Sequence, residues 1–449
     1  MKRSLSHSGY GVVPVSIYTK PAGCGGNCIF CPDAKGIPKS YTFNEDTRLA
    51  LQLKFHSGQQ FMARWELLAP SLRRSRLPFE VIVLGGSFSA HSKEYRRSFV
   101  ENLLGAMAQV GRSSSDECMT ALCSVLTVES RPDQINQDEC VFLRSIGVSK
   151  VEIGVQHTDD RVLTTVRRGH SQSDVQTATK LLKSNGFKVG YHVMIGLPGA
   201  SLERDSQMLG ETLWKNEYSP DYLKVYPCAL LKDVTLQPEL FKLWCNKSWR
   251  APDEFYCQQA LDVLSQNIPK YVRLSRIQRQ FDLEESLDAP RPGLRTRMRS
   301  HLVDLRSREL HKDELVLASE ADLILEIIVS GNDFIFELTQ QYTKRLVSIA
   351  RCFRSGEVAG EAVVRELKVF GLASAVGAVG ASQGRGIGTR LLAEVENYFR
   401  GIGCKELLIN AAPGAKSFFF KHGYVKREDH FLTRNLVGCA YLCGARAGF

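Results

Sequence analysis

From Val13 to Tyr226 the chain alternates short apolar runs rich in β-branched residues with longer stretches in which apolar residues recur every three or four positions. The runs predict strands at 13–19, 79–84, 124–129, 150–155, 188–194 and 222–226, and the stretches predict helices, among them 92–110, 134–146, 171–185 and 254–267. Strand and helix in alternation mark βα units around a parallel sheet. Six strands with helical crossovers fit a partial (βα)6 barrel, whose reactive groups belong at the C-terminal ends of the strands. That rule selects Gly85, Gly86, Ser87 and Phe88 after the second strand, and Glu129 to Asp133, with Arg131, after the third. It also selects Gln156 and His157, then His192 with the turn Gly196 to Gly199, and finally Lys224, Tyr226 and Pro227. Polar groups gathered at strand ends read as a site, and paired glycines there let a ligand approach the backbone.

Beyond about residue 313 the pattern changes to mixed α/β with antiparallel strands expected at 333–339, 345–353, 362–370 and 406–410. Here Gln383-Gly384-Arg385-Gly386-Ile387-Gly388 opens a helix with apolar positions at Ile387, Leu391, Leu392, Val395, Tyr398 and Phe399. A glycine-rich turn into a helix N-terminus offers free N–H groups and a positive dipole end to a pyrophosphate. The Q-x-x-G-x-G pattern between two strands is similar to the acetyl-CoA loop of GNAT acetyltransferases. Three parts are expected: 1–270, a basic connector at 271–312, and 313–449.

Cysteine usage adds chemistry to this outline. Lys20 to Pro32, KPAGCGGNCIFCP, places Cys24, Cys28 and Cys31 in C-x3-C-x2-C spacing on one short segment. Structural zinc wants four ligands, and no fourth Cys or His is near, so three thiolates suit an iron–sulfur cluster better. Three unrelated buried thiols is the plainer alternative, but Gly23, Gly25 and Gly26 mark a loop. The spacing resembles that of radical S-adenosylmethionine (SAM) enzymes, in which the iron without a cysteine chelates SAM. The total of 13 cysteines is odd and scattered, which points to a reducing compartment. The N-terminus has no continuous apolar stretch for a signal peptide, and no run approaches the roughly 20 apolar residues of a membrane span. A cytoplasmic protein without a membrane role is expected.

The net charge of +10 is uneven. Residues 1–78 hold eleven Lys and Arg against four acids, and residues 270–312 hold eleven against six, together with Pro290 and Pro292. Basic fields of this kind attract a polyanion such as RNA. Lys20, Lys35, Lys39, Arg273, Arg276 and Arg279 are the candidate contacts.

In this order the segments resemble the Elongator protein 3 family, fusions of a radical SAM domain with an acetyltransferase domain. The resemblance runs from Val12 to Leu436 and is carried by IYTKP, IVLGGSF, TVESRPD, VEIGVQ, RRGHS, HVMIGLPG, LKVYPCALL, VREL with KVFG, QGRGIG and FFFKHGY. It implies modification of the tRNA wobble uridine. A SAM-derived radical takes hydrogen from the acetyl methyl of acetyl-CoA, the carbon adds to uridine C5, and thioester hydrolysis leaves 5-carboxymethyluridine. It also implies residue roles. Cys24, Cys28 and Cys31 would hold a 4Fe-4S cluster, and Gly85, Gly86, Ser87, Glu129, Arg131, Gln156 and His192 would seat SAM. Glu366, Leu367, Lys368, Val369, Gln383, Gly384, Arg385, Gly386, Ile387, Gly388, Thr389 and Phe419 would line acetyl-CoA. An external electron donor and Elongator-type partner subunits are implied as well.

The sequence departs from the family in several places. Only three residues separate the first two cysteines, and 23 residues precede Cys24, so tRNA recruitment is expected to rest on the basic surfaces. A family lysine is Pro78, and the connector has no cysteine cluster, so no zinc site is expected. The family's paired tyrosines are Phe418 and Phe419, which removes a hydroxyl that could protonate a leaving thiolate and leaves Tyr424 as the nearest phenol. Protein lysine acetylation, with the iron–sulfur half structural, and RNA binding without chemistry are the competing functions.

Overall fold

The computed structural model describes residues 12–68, 78–111, 123–278, 285–297, 302–310, 322–354, 356, 360–371 and 386–437. Strands β1 (Val13–Tyr18), β2 (Phe79–Leu84), β3 (Cys123–Ser130), β4 (Lys150–Gln156), β5 (Lys188–Ile195) and β6 (Tyr222–Pro227) form the expected parallel sheet in sequence order. Each strand buries one set of alternate residues against the helices. In β4 these are Val151, Ile153 and Val155, and in β5 they are Val189, Tyr191, Val193 and Ile195. The helices follow their patterns, with ends fixed by caps. Helix 137–145 starts later than its periodicity suggests, because the Asn136 side chain accepts from the Glu139 N–H and Pro132–Gln134 forms a separate 3-10 turn.

The sheet has a seventh strand. After the two-residue β7 (Leu230–Leu231), β8 (Arg273–Ile277) pairs parallel to β6, with Leu223 opposite Leu274 and Val225 opposite Ile277. This strand falls in the segment expected to be a connector. Its short run RLSRI hides the strand signal, because the arginines occupy the face turned away from the helices and only Leu274 and Ile277 are buried. Its neighbour β9 (Ser286–Asp288) pairs with β7.

The second sheet has the order β10-β11-β12-β13-β14-β16-β15. Its strands are β10 (Leu323–Ser330), β11 (Asp333–Gln340), β12 (Leu346–Phe353), β13 (Glu361–Val369), β14 (Glu406–Ile409), β15 (Val425–Lys426) and β16 (Leu432–Asn435). Helix 387–401 buries Ile387, Leu391, Leu392, Val395 and Phe399 on this sheet. All pairings are antiparallel except β13 with β14, and that one stops at Val364 opposite Ile409. Residues 365–369 of β13 therefore continue without β14 beside them.

The second domain packs on the N-terminal ends of the barrel strands. Arg365 is ion-paired to Asp221, which directly precedes β6, and its other arm reaches Asp333 at 2.7 Å. Asp333 in turn takes Lys183 from the barrel helix 172–184. Arg351 donates to Glu366 at 2.8 Å, and Tyr222 donates to Glu366 at 2.6 Å. Asn410 reaches the Val148 carbonyl just before β4 at 3.2 Å. Burial alone would raise the carboxyls of Asp221 and Glu366. Arg365 and Arg351 override it at Asp221, holding that carboxyl well below the usual range, and Arg351 with the Lys188 and Lys368 ammoniums holds Glu366 at about 2.

Candidate active site

At the C-terminal ends of the strands, the Cys24 to Cys31 loop crosses the mouth of the barrel. Cys28 is buried and Cys24 and Cys31 are half-buried; all three are free thiols. Burial raises the Cys31 thiol to about 11; its 3.1 Å contact with Ser40 offsets part of this, and Cys28 and Cys24 add to it. Two arginines face the loop. Arg168 lies with Nη1 3.5 Å from the Cys28 sulfur and Nη2 on the Gly154 carbonyl at 2.7 Å. Arg131 is held by Asp133 at 2.9 Å and by the Arg168 carbonyl at 3.0 Å, and its Nη1 is buried with no partner among the described residues. A side chain at Gly26 would fall on that guanidinium and would have to push Arg131 aside, so loop and arginine meet closely there. An anionic cluster of three thiolates fits this setting, because the orphaned Arg131 nitrogen and Arg168 supply positive charge beside it.

The predicted SAM residues mostly converge. Ser87 donates to Gln134, and Gln134 donates to the Cys24 carbonyl at 3.3 Å. Gly85 and Gly86, both at positive φ, pack against Thr19 and the Lys39 carbonyl, so they set how closely the cysteine segment approaches β2. Gln156 also has positive φ, at a register shift between β4 and β5. Strain of this kind persists where surrounding structure enforces it.

Below the mouth, the barrel face turned away from the helices is polar. Cross-strand register sets Thr127, Lys150 and Lys188 in one row, then Glu129, Glu152, Gly190, Tyr222 and Arg273, then Gly154, His192, Lys224 and Arg276. Glu129, Glu152 and His192 bring one ligand atom each within 4.8 Å of one another. Lys224 is ion-paired to Glu152, Lys150 lies 2.9 Å from it and His192 donates to it at 2.9 Å, which makes this a charge-balanced network. Burial works against the Glu152 charge, but Lys150 and Lys224 hold its carboxyl well below the usual range. Tyr41 donates to Glu129 at 2.9 Å and ties the network to the cysteine segment. Sequence reasoning passed over Glu152, Arg168 and Tyr41. The first had a signal, because a strand of a helix-covered parallel sheet is normally apolar throughout. In VEIGVQ every second position is polar or lacks a side chain, which marks a face that is wet or filled.

At the opposite end, the helix that begins at Ile387 has Gly386 as N-cap at φ +83°, a left-handed conformation that favours glycine. A Cβ at Gly388 would meet Phe418 at 3.5 Å and Leu367 at 3.7 Å, so the helix start lies beside the free stretch of β13. Those two features suit acetyl-CoA: a strand edge for its amide-bearing arm and a helix N-terminus for its phosphates. Thr389 and His422 are 2.9 Å apart, and His422 Nδ1 is 2.8 Å from the Phe418 carbonyl. Glu366 turns its side chain to Arg351 and Tyr222, so any part it has in the slot is through its backbone. Val369 is half-buried beside the slot, and Phe419 is buried in the core of the second domain. Gln383, Gly384 and Arg385 lie outside the described residues.

One expectation needs correction. Tyr424 is a core residue whose hydroxyl donates to Glu396 at 3.0 Å. Burial and that carboxylate push its pKa up, which unsuits it to protonate a thiolate. The candidate tRNA contacts differ in their surroundings. Lys20 lies over the Tyr95 ring, Lys39 is 3.3 Å from the Gly26 carbonyl, and Arg273 is ion-paired to Glu309. Lys35 and Arg276 are exposed, and Arg279 is outside the described residues.

Comparison with known proteins agrees with this geometry. The Radical SAM superfamily profile matches residues 18–209, and the Acetyltransferase (GNAT) domain profile matches 341–441. The cofactors of these domains are a 4Fe-4S cluster with SAM, and acetyl-CoA. The tRNA uridine(34) acetyltransferase of Methanocaldococcus infernus is 30% identical over 95% of this chain and 86% of its own length. That of Dehalococcoides mccartyi is also 30% identical, over 94% and 97%. Elongator complex protein 3 of Homo sapiens is 28% identical over 92% and 82%. The solved structure of archaeal Methanocaldococcus infernus Elp3 lacking residues 1–46 superimposes with TM-score 0.75 at 25% identity, over 95% of this chain and 99% of that one. A barrel closed by a cysteine loop at one end and by an acetyltransferase sheet at the other, with relatives matched over nearly all of both chains, places this protein in the Elongator protein 3 and tRNA uridine(34) acetyltransferase family.

Proposed function

We propose that the protein modifies the wobble uridine of tRNA, joining the acetyl group of acetyl-CoA to C5 and leaving 5-carboxymethyluridine. One observation carries this reading: the cysteine loop and the free stretch of β13 stand at opposite ends of the same polar barrel interior. A protein that merely acetylated an amine would have no use for such a connection. Cys24, Cys28 and Cys31 would hold the cluster, which with SAM would supply radical chemistry able to take hydrogen from an unactivated methyl group. Gln134 and Arg168 hold the loop that presents it, and Arg131 braces Arg168 through its carbonyl. The rows of Glu152, His192 and Lys224 supply fixed charge along the route, and the packed domain interface keeps bulk water out. Lys35 and Arg276 are exposed where a polyanion can reach them. An external reductant is required, and partner subunits would assist tRNA placement.

Phe418 and Phe419 carry no hydroxyl and Tyr424 is committed to Glu396, so none of these three residues supplies the acid that ordinary amine acetylation commonly takes from a tyrosine at this place. The deciding experiment is an anaerobic reaction of reconstituted protein with SAM, dithionite, tRNA and acetyl-CoA labelled in the acetyl methyl. Label in 5-carboxymethyluridine by nucleoside mass spectrometry is expected. Label in lysine residues of added protein, with none in tRNA, would replace this reading by the acetyltransferase one.

A further inference from the structure

The floor of the barrel holds more amines than its carboxylates engage. Lys188 is 7% exposed, yet its amine has no hydrogen-bond or ion-pair partner among the described residues. Lys368, on the face of β13 that also carries Glu366, has none either; its amine lies 5.3 Å over the Phe370 ring. Lys150 stands beside Lys188 in the same cross-strand row. Glu366 and Glu80 act on both amines through space, but the direct contacts of the nearby acids go to other groups. Glu366 is bonded to Arg351 and Tyr222, Glu80 is 3.8 Å from Lys150, and Glu309 holds Arg273. A buried ammonium without a partner is costly. Lys188 in that position, with the half-buried Lys368 acting on it and next to a strand edge suited to the acetyl-CoA arm, favours an anionic ligand.

We infer that Lys188 and Lys368, with Lys150 behind them, form a carboxylate-binding site at the end of the acetyl-CoA slot, taking the oxygen atoms of the acetyl-derived unit. The inference rests on the acetyl-CoA reading above. It explains why the floor of the barrel is cationic. A thioester oxygen gains negative charge when water attacks it, and the carboxylate it becomes is an anion that two ammonium groups can hold without further change. The charged groups around Lys368 are Arg273, Glu366, Glu80 and Lys150. Burial and Arg273 lower its amine to about 8, so it is poised to lose its proton just above neutrality.

The test uses two non-reacting analogues, S-carboxymethyl-CoA and its neutral isostere S-carbamoylmethyl-CoA, with equilibrium binding to the full chain. The wild type should prefer the carboxylate by about tenfold, and the preference should shrink as pH rises through about 8. Lys188→Gln should remove most of it while leaving the amide analogue's affinity unchanged, and Lys368→Gln should also remove most of it, read as the ratio of the two affinities because this residue lines the slot. A ratio of two affinities on one sample is insensitive to the folded fraction, and thermal melting of each variant checks that it folds. Equal affinities in the wild type, or a preference that survives in both variants, would overturn the assignment and leave the acetyl-CoA site standing. Failure of both analogues to bind would overturn the acetyl-CoA reading together with it.

Discussion

The cysteine loop and the proposed acetyl-CoA slot would hold their cofactors by opposite means. At the loop, the groups offered are side chains: three thiols on one short segment, with two arginines turned toward them. At the slot, the working surface is backbone, a strand edge left free after Val364 and a helix start at Gly386, while side chains such as Glu366 point away into the domain interface. A single substitution can therefore empty the first site. The second is broken through its scaffold instead.

Cys28→Ala should have the largest effect. The brown absorbance of the reconstituted cluster and cleavage of SAM should both vanish, while acetyl-CoA binding stays within about twofold of wild type, since that slot uses none of the thiols. Loss of acetyl-CoA affinity in this variant would mean that the two sites are not separate.

Arg365→Leu comes next. It leaves Asp221 with only the more distant Arg351 at 3.6 Å, and Asp333 with only Lys183, as cationic partners, and removing one partner of a buried pair costs up to about 3–5 kcal/mol. Urea unfolding should show that loss, and acetyl-CoA affinity should fall with it because β13 carries both the arginine and the slot edge. A change below about 1 kcal/mol would mean that water reaches the network.

Acid should act on the same interface to a smaller extent. Glu366 titrates near 4.5 when unfolded and about 2 when folded. Its depressed folded value means that its contribution is complete above about pH 4.5 and is lost as pH falls toward 2. Stability measured across that window should decline, and Glu366→Gln should flatten the part of the decline that belongs to this residue.

Tyr424→Phe should be the mildest change. It removes one buried hydrogen bond to Glu396, worth about 1 kcal/mol, and leaves product formation within about threefold. A loss of a hundredfold or more would restore the phenol to the chemistry.

The same contrast explains what could be read from the sequence. Periodicity located all six expected strands of the barrel, because alternation of Val, Ile and Tyr against the helices is a local property. The thiols and the strand-end polar residues were legible for the same reason: their identity is their chemistry. Strand β8 was hidden because Arg273 and Arg276 fill its inner face, and its pairing with β6 is a contact across some 50 residues that no local pattern reports. The ionic joint of Asp221, Arg365, Asp333 and Lys183 could not be foreseen either, since each residue alone looks like an ordinary surface charge. Tyr424 was assigned a role from its chemistry, and packing against Glu396 decided otherwise.

Strand β8 also bears on whether the two halves can be parted. A gene cut at residue 270 would strip the barrel of its last strand and bare the edge of β6, while the other fragment would keep a strand with no sheet to join. Such an exposed edge invites pairing with other chains. Arg273 also anchors Glu309, and Arg308 anchors Glu337 in β11, so the same stretch is stitched into both halves. Any dissection of this protein into separately expressed pieces should keep residues 271–310 with the barrel. The inheritance of the two activities as one polypeptide is built into how the chain is threaded.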